Sequence, residues 1–206
     1  MSLEERLDRI EKIEGELLRK GASLMGPGAS VSVVSLYALG AVNRTISQSK
    51  GFRALISARN FPCATILLRT QIDTAIRING LRFLADPHQG VRDILEEKII
   101  FRQMKSTAGE KMTDAFLREK LAEDYPWITK VYEETSDFVH LSFRHLWPAI
   151  RSRDDNEQIV RFEISGEDAS RSDADYYEVC ETFLEIFRVT SLLILGLMMA
   201  HLGSIE

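Results

Sequence analysis

Arg69, Asp73 and Arg77 recur at steps of four, and so do Tyr132, Ser136, His140 and Arg144. Side chains four apart share one face of a helix, so each set forms a continuous line. The first line carries two guanidinium forks, which suit the oxygens of a phosphate, and a carboxylate able to pair with either. The second carries an imidazole whose ordinary pKa lies close to neutrality, as proton transfer requires, flanked by two hydroxyls able to orient it or to bind a substrate oxygen. Together the lines would suit a phosphate-binding pocket beside a group able to transfer a proton. Arg69 and Arg77 would neutralise the phosphate and His140 would move the proton. Asp73, Tyr132, Ser136 and Arg144 would bind or orient. The same residues also fit a quieter role, a buried ion-pair ladder that fixes helix register.

The ladder matters because of its host. On a helical wheel, residues 61–84 place Leu68, Ile72, Ile76 and Phe83 on one side, Leu67, Ile78 and Leu81 on another, and Ile66 and Leu84 on a third. A helix apolar almost all round belongs at the centre of its domain. Charged heads carried into such a place cost several kcal/mol per unpaired ion, so the ladder needs partners or a wet cleft. The later line lies at the border of its helix. Ile128, Val131, Thr135, Phe138, Val139, Ser142 and Leu146 make the buried face, while Lys130, Glu133, Glu134, Asp137 and Arg144 make the charged one.

Helical periodicity dominates the rest of the chain. Leu3, Leu7, Ile10, Ile13 and Leu17 stripe a first helix, and "GPG" at 26–28 breaks it. Ser30 or Ser32 caps a second helix running towards Asn60, with an interruption expected near Gly51. Pro62 opens the central helix, and "ADPHQG" ends it. A fourth helix is expected over 90–105, a short one from Asp114 to Ala122, and a long one from Pro126 to about Trp147. Alternation around "DDNE" predicts a β-hairpin near 148–165 that must lean on the helices. Ser172 and Asp175 form a capping box for a last helix from about 174 to 202. The expected fold is all-α, a single helical domain over 1–206 with six or seven helices and one small hairpin.

Composition narrows the function classes. The 206 residues carry a net charge of −5 and an uneven distribution. Seven basic residues and one acid lie between Arg44 and Arg82, against eleven acids and two arginines between Asp154 and Glu185. Either the two parts attract one another or the basic part faces an anion. Cys63 and Cys180 form no spacing motif and read as small core residues. No nucleophile elbow, Cys–His spacing or glycine-rich phosphate loop is present. Asp137 and His140 lack the second Glu-x-x-His element of a di-metal bundle, so neither metal nor cofactor is expected. The densely charged first twenty residues do not have the form of a secretory signal, and the apolar run from Val189 to Gly203 is short for a bilayer. A cytoplasmic protein without a membrane span is the expectation.

A helical bundle with "LLRTQIDTAIRINGLRFLADP" on one helix and "YEETSDFVHLSFRH" on a later one resembles bacterial proteins distantly related to the HEPN superfamily. The resemblance covers about 60–147. It implies a dimeric helical bundle, and many such proteins are metal-independent endoribonucleases of toxin–antitoxin and phage-defence systems; others are non-catalytic binding modules. The family's Arg-x(4–6)-His pattern has one literal match, Arg82 to His88. The pairing of Arg69 or Arg77 with His140 would instead be spatial, a departure from that pattern. Two functions follow as expectations. One is an RNA-cleaving homodimer. The other is a non-catalytic helical module for a protein partner or a small anionic ligand.

Overall fold

Side-chain caps decide where most helices start. Ser2 and Glu5 form a capping box for α1 (Leu3–Leu24), and the Ser32 hydroxyl accepts from the Ser35 N–H at the start of α2 (Val33–Ser57). The Asn60 side chain accepts from Cys63 N at 3.2 Å to begin α3 (Phe61–Gly80), with Pro62 in the first turn. Asp86 caps α4 (Pro87–Leu95) and Thr113 caps α5 (Asp114–Ala122). Pro126 precedes α6 (Trp127–Val139), and the Ser172–Asp175 box opens α7 (Asp173–His201). Each cap satisfies backbone donors that the first helical turn leaves orphaned. The computed structural model describes residues 1–27, 31–140, 142, 145, 150–154, 157–162 and 171–202. Over these the chain is an all-α bundle with one antiparallel hairpin, β1 (Ile150–Asp154) and β2 (Ile159–Phe162).

α3 is the central helix, packed against α2, α5, α6 and α7. Its Leu68, Ile72, Ala75 and Ile76 are buried with Phe52 and Ile56 of α2 and Phe183 and Phe187 of α7. The Phe52 and Phe183 rings stack at 3.9 Å. The stripe on α1 also turns inward, with Ile10 and Leu17 fully buried.

Four local expectations are revised. Gly51 does not interrupt α2. A Cβ at that position would stand 3.0 Å from Leu67 Cδ1, so the glycine lets α2 approach α3 closely. The fourth helix starts and ends earlier than its pattern, because Glu97 adopts a left-handed φ of 57° and stops it. Phe101 and Met104, which that pattern placed on the helix, are buried by the turn that follows instead. Cys63 is exposed, whereas Cys180 is a core residue whose thiol burial pushes up to about 12. The hairpin stands where its alternation placed it, but Ile159, Val160, Arg161 and Phe162 are all exposed. Neighbouring strand residues point to opposite faces, so the described residues of β2 are open on both faces.

By length and composition α7 is apolar enough to cross a membrane, but half of its most apolar window is buried inside the bundle. A central helix of a water-soluble bundle passes the same test.

Candidate functional site

The ladder on α3 meets α6 side-on. Arg69 is almost wholly buried. Its guanidinium carbon lies 3.4 Å from the centre of the Tyr132 ring, Nε donates to Ser136 Oγ at 3.3 Å, and Nη1 stands 2.5 Å from Asp73 Oδ1. A cation over an aromatic face, a hydroxyl acceptor and a carboxylate together replace the water that this group loses. Arg118 of α5 approaches the same ring at 5.0 Å and pairs loosely with exposed Glu133 at 3.8 Å. Burial raises the Tyr132 phenol above its ordinary value, and Arg69 partly opposes that rise. The ring therefore stays neutral and keeps its cation-binding face.

One turn further along α3 the network opens. Arg77 Nη1 is 3.8 Å from Asp73 Oδ1 and lacks an aligned hydrogen-bond acceptor, although it is itself buried. Arg77 Nη2 donates to Asp114 Oδ1 of α5 at 3.0 Å. Asp73, Thr74 and Arg77 line one wall of a cleft of about 480 Å³ whose other wall is Tyr37, Gly40 and Arg44 of α2. Leu36 and Leu95, both exposed, form an apolar rim.

Arg44 is the distinctive group here. Its Nε donates to Thr74 Oγ1 at 3.1 Å. With the Gln48 amide oriented by its hydrogen bonds, the amide oxygen accepts from Arg44 Nη2 at 3.1 Å. No carboxylate comes within ion-pair distance of Arg44 among the described residues. Asp73 is already shared between Arg69 and Arg77. Around the two arms, Arg44, Arg69, Arg77 and Arg118 face Asp73, Asp114 and rim Glu133, which leaves one positive charge in excess. Burial raises the Tyr37 phenol, against the pull of Arg77 and Arg44, so the cleft also offers a protonated hydroxyl.

The structure thus gathers Arg69, Asp73, Arg77, Tyr132 and Ser136 into one network and leaves His140 outside it. α6 ends at Val139, and His140 is its exposed C-cap with extended backbone (φ −108°, ψ 147°). No hydrogen bond joins its ring to Arg69 or Arg77; those arginines are met by Asp73, Asp114, Tyr132 and Ser136. The early stop has a local cause. The Ser142 hydroxyl donates to the Asp137 carbonyl at 2.8 Å, taking an acceptor that a continuing helix would give to a backbone N–H. Arg144 lies outside the described residues. No cluster of three or more His, Cys, Asp or Glu able to hold a metal occurs among the described residues.

Sequence reasoning missed Tyr37, Arg44, Thr74, Asp114 and Arg118. One signal was available: Arg44 interrupts the uncharged run of α2. No family model matches the chain, and neither a curated protein nor a solved structure is significantly similar to it.

Proposed function

We propose that the chain is a helical module that binds a small anionic ligand in the Arg44–Arg77 cleft. The observation that carries this reading is a guanidinium without a carboxylate partner, Arg44, set opposite a second whose buried Nη1 is unsaturated. Two arginine forks on facing walls suit a carboxylate or phosphate group, with Thr74 and the Tyr37 phenol as further donors. The apolar rim at Leu36 and Leu95 suits a ligand with a flat or aliphatic body behind its charged end.

The test is a thermal-shift and calorimetric titration with inorganic phosphate, nucleoside monophosphates and aliphatic dicarboxylates. Saturable stabilisation by one class is expected. Affinity should fall by about tenfold or more in Arg44→Ala and in Arg77→Ala, the loss of a charge-assisted hydrogen bond, and should hold in Arg53→Ala. Absence of saturable binding, or equal binding in all three variants, overturns the reading.

One observation favours a second reading, metal-independent RNA cleavage by a homodimer. His140 is solvent-accessible and lies one turn beyond Ser136, which contacts Arg69. A phosphate held at His140 would reach the Arg69 guanidinium only by displacing Ser136 or Asp73 from it. Labelled RNA incubated in EDTA with the parent chain, His140→Ala and Arg69→Ala decides it. Cleavage lost in both variants supports this reading, and cleavage retained in either removes that residue from the mechanism.

A further inference from the structure

A second pair of chemically capable side chains sits away from the arginine network. His88 occupies the first turn of α4, behind Pro87, and His201 is the last residue of α7. Although 113 residues apart in sequence, His88 Nε2 and His201 Nδ1 stand 3.1 Å from each other. The ring centres are 5.0 Å apart and the planes are inclined at 70°. We propose that these two imidazoles form an open, two-histidine clamp for a divalent transition metal of the zinc, copper or nickel class.

The distance is the first argument. Two imidazole nitrogens bound to one such ion at about 2.0–2.1 Å, with an angle between square and tetrahedral, stand roughly 2.9–3.4 Å apart. The observed separation falls inside that range, so both nitrogens already stand at the spacing that one ion requires. Anchoring is the second. Both rings are half-buried and are held on different helices that share the bundle core. The clamp therefore exists only in the folded chain.

Charge is the third. His201 ends a helix of 29 residues, where the negative pole of the helix dipole favours a cation. On its other side His201, without His88, lines a cleft of about 370 Å³ with Arg82, Pro87, Gly196 and Ala200. Among the described residues no third His, Cys, Asp or Glu completes the set. The remaining positions would be filled by water or by an exogenous ligand, as in open rather than closed sites. Nitrogen donors alone favour zinc, copper or nickel over magnesium or calcium.

A plain N–H···N hydrogen bond gives the same separation, and the experiment separates the two. Untagged chain in a Cys63→Ser background, stripped with EDTA and dialysed, is titrated with Zn²⁺ against a chromophoric chelator. His88→Gln and His201→Gln keep a neutral hydrogen-bonding side chain but lose the ligand, and circular dichroism confirms their fold. One equivalent of zinc bound at micromolar concentration is expected, weakened about tenfold or more in each glutamine variant. His140→Ala and His145→Ala should bind as the parent does. Failure of the parent to bind zinc, or unchanged affinity in either glutamine variant, overturns the clamp.

Discussion

Two charged networks flank the core of this bundle, and they are built differently. On one side Glu14 of α1 is buried, yet every need of its carboxylate is met. Ser49 Oγ donates to Oε1 at 2.7 Å, and Arg53 Nε donates to the same oxygen at 3.0 Å, while Arg53 also reaches Glu11. On the other side Arg69 is buried against Tyr132, Ser136 and Asp73, with its Nη1, like that of Arg77, lacking an aligned acceptor, while Arg77 and Arg44 also face a cleft. Buried polar groups are nearly always satisfied, because an unmet one costs about 1–3 kcal/mol. A closed network holds helices in register. A network that opens on a cleft keeps donors within reach of solvent or of a ligand.

The largest expected effect breaks the closed side. Glu14→Ala leaves buried Ser49 without its acceptor and Arg53 with only Glu11, and should lower the unfolding free energy by about 2–4 kcal/mol, read from the denaturant midpoint. Anion affinity should stay as it is. A double variant, Glu14→Leu with Arg53→Leu, should recover a good part of that loss, and the coupling energy of the cycle measures the pair. If Glu14→Ala unfolds no more easily than the parent, the distinction between the two networks collapses.

Tyr132 gives the next effect. Tyr132→Ala removes the face that holds the Arg69 guanidinium and should cost about 1–2 kcal/mol. Tyr132→Phe keeps the ring and should cost far less. Equal losses in the two would mean that the hydroxyl, not the ring face, supports the arginine.

On the open side the order reverses. Arg44→Ala should change stability by no more than about 0.5 kcal/mol, since the group is exposed and has no carboxylate partner. The same change should weaken the tightest anion binding seen in the titration by about tenfold or more. A variant that loses both stability and binding would place Arg44 with the closed networks.

The smallest effect is a pH dependence. His201 has a folded pKa below its ordinary 6.5, first through burial and then through His88. The unfolded chain therefore binds the proton more readily. This group's contribution to stability is present above pH 6.5 and is lost as pH falls through the folded pKa. Arg82 lines a cleft with His201, and Asp86 lies beside His88 at the start of α4. Thermal melts across that window should slope less in His201→Gln than in the parent.

Much of the bundle was readable from short-range pattern. The caps at Ser32 and Ser172 were legible because a side-chain oxygen needs only the next three backbone N–H groups, whereas Asn60, Asp86 and Thr113 cap by the same means without having been singled out. The central place of α3 followed from its apolar circumference, and the ladder followed from steps of four along it. Less readable were helix ends set by competition. The stop at Val139 depends on the Ser142 hydroxyl reaching back to the Asp137 carbonyl, and that at Leu95 on a left-handed Glu97. Periodicity continues past both points, so it carried the pattern onward and kept His140 on a helix that it only caps.

The chain by itself determined the secondary structure, the all-helical class and the presence of charge in the central helix, because these arise from interactions within one or two turns. Only the tertiary structure decided what each charge faces. Arg44 meets Arg77 across a cleft, Arg69 lies on Tyr132, Arg53 closes on Glu14, and His88 reaches His201. Each of these depends on the angle and depth at which two helices pack. Those are set by interdigitation of whole faces, a property that no single segment carries.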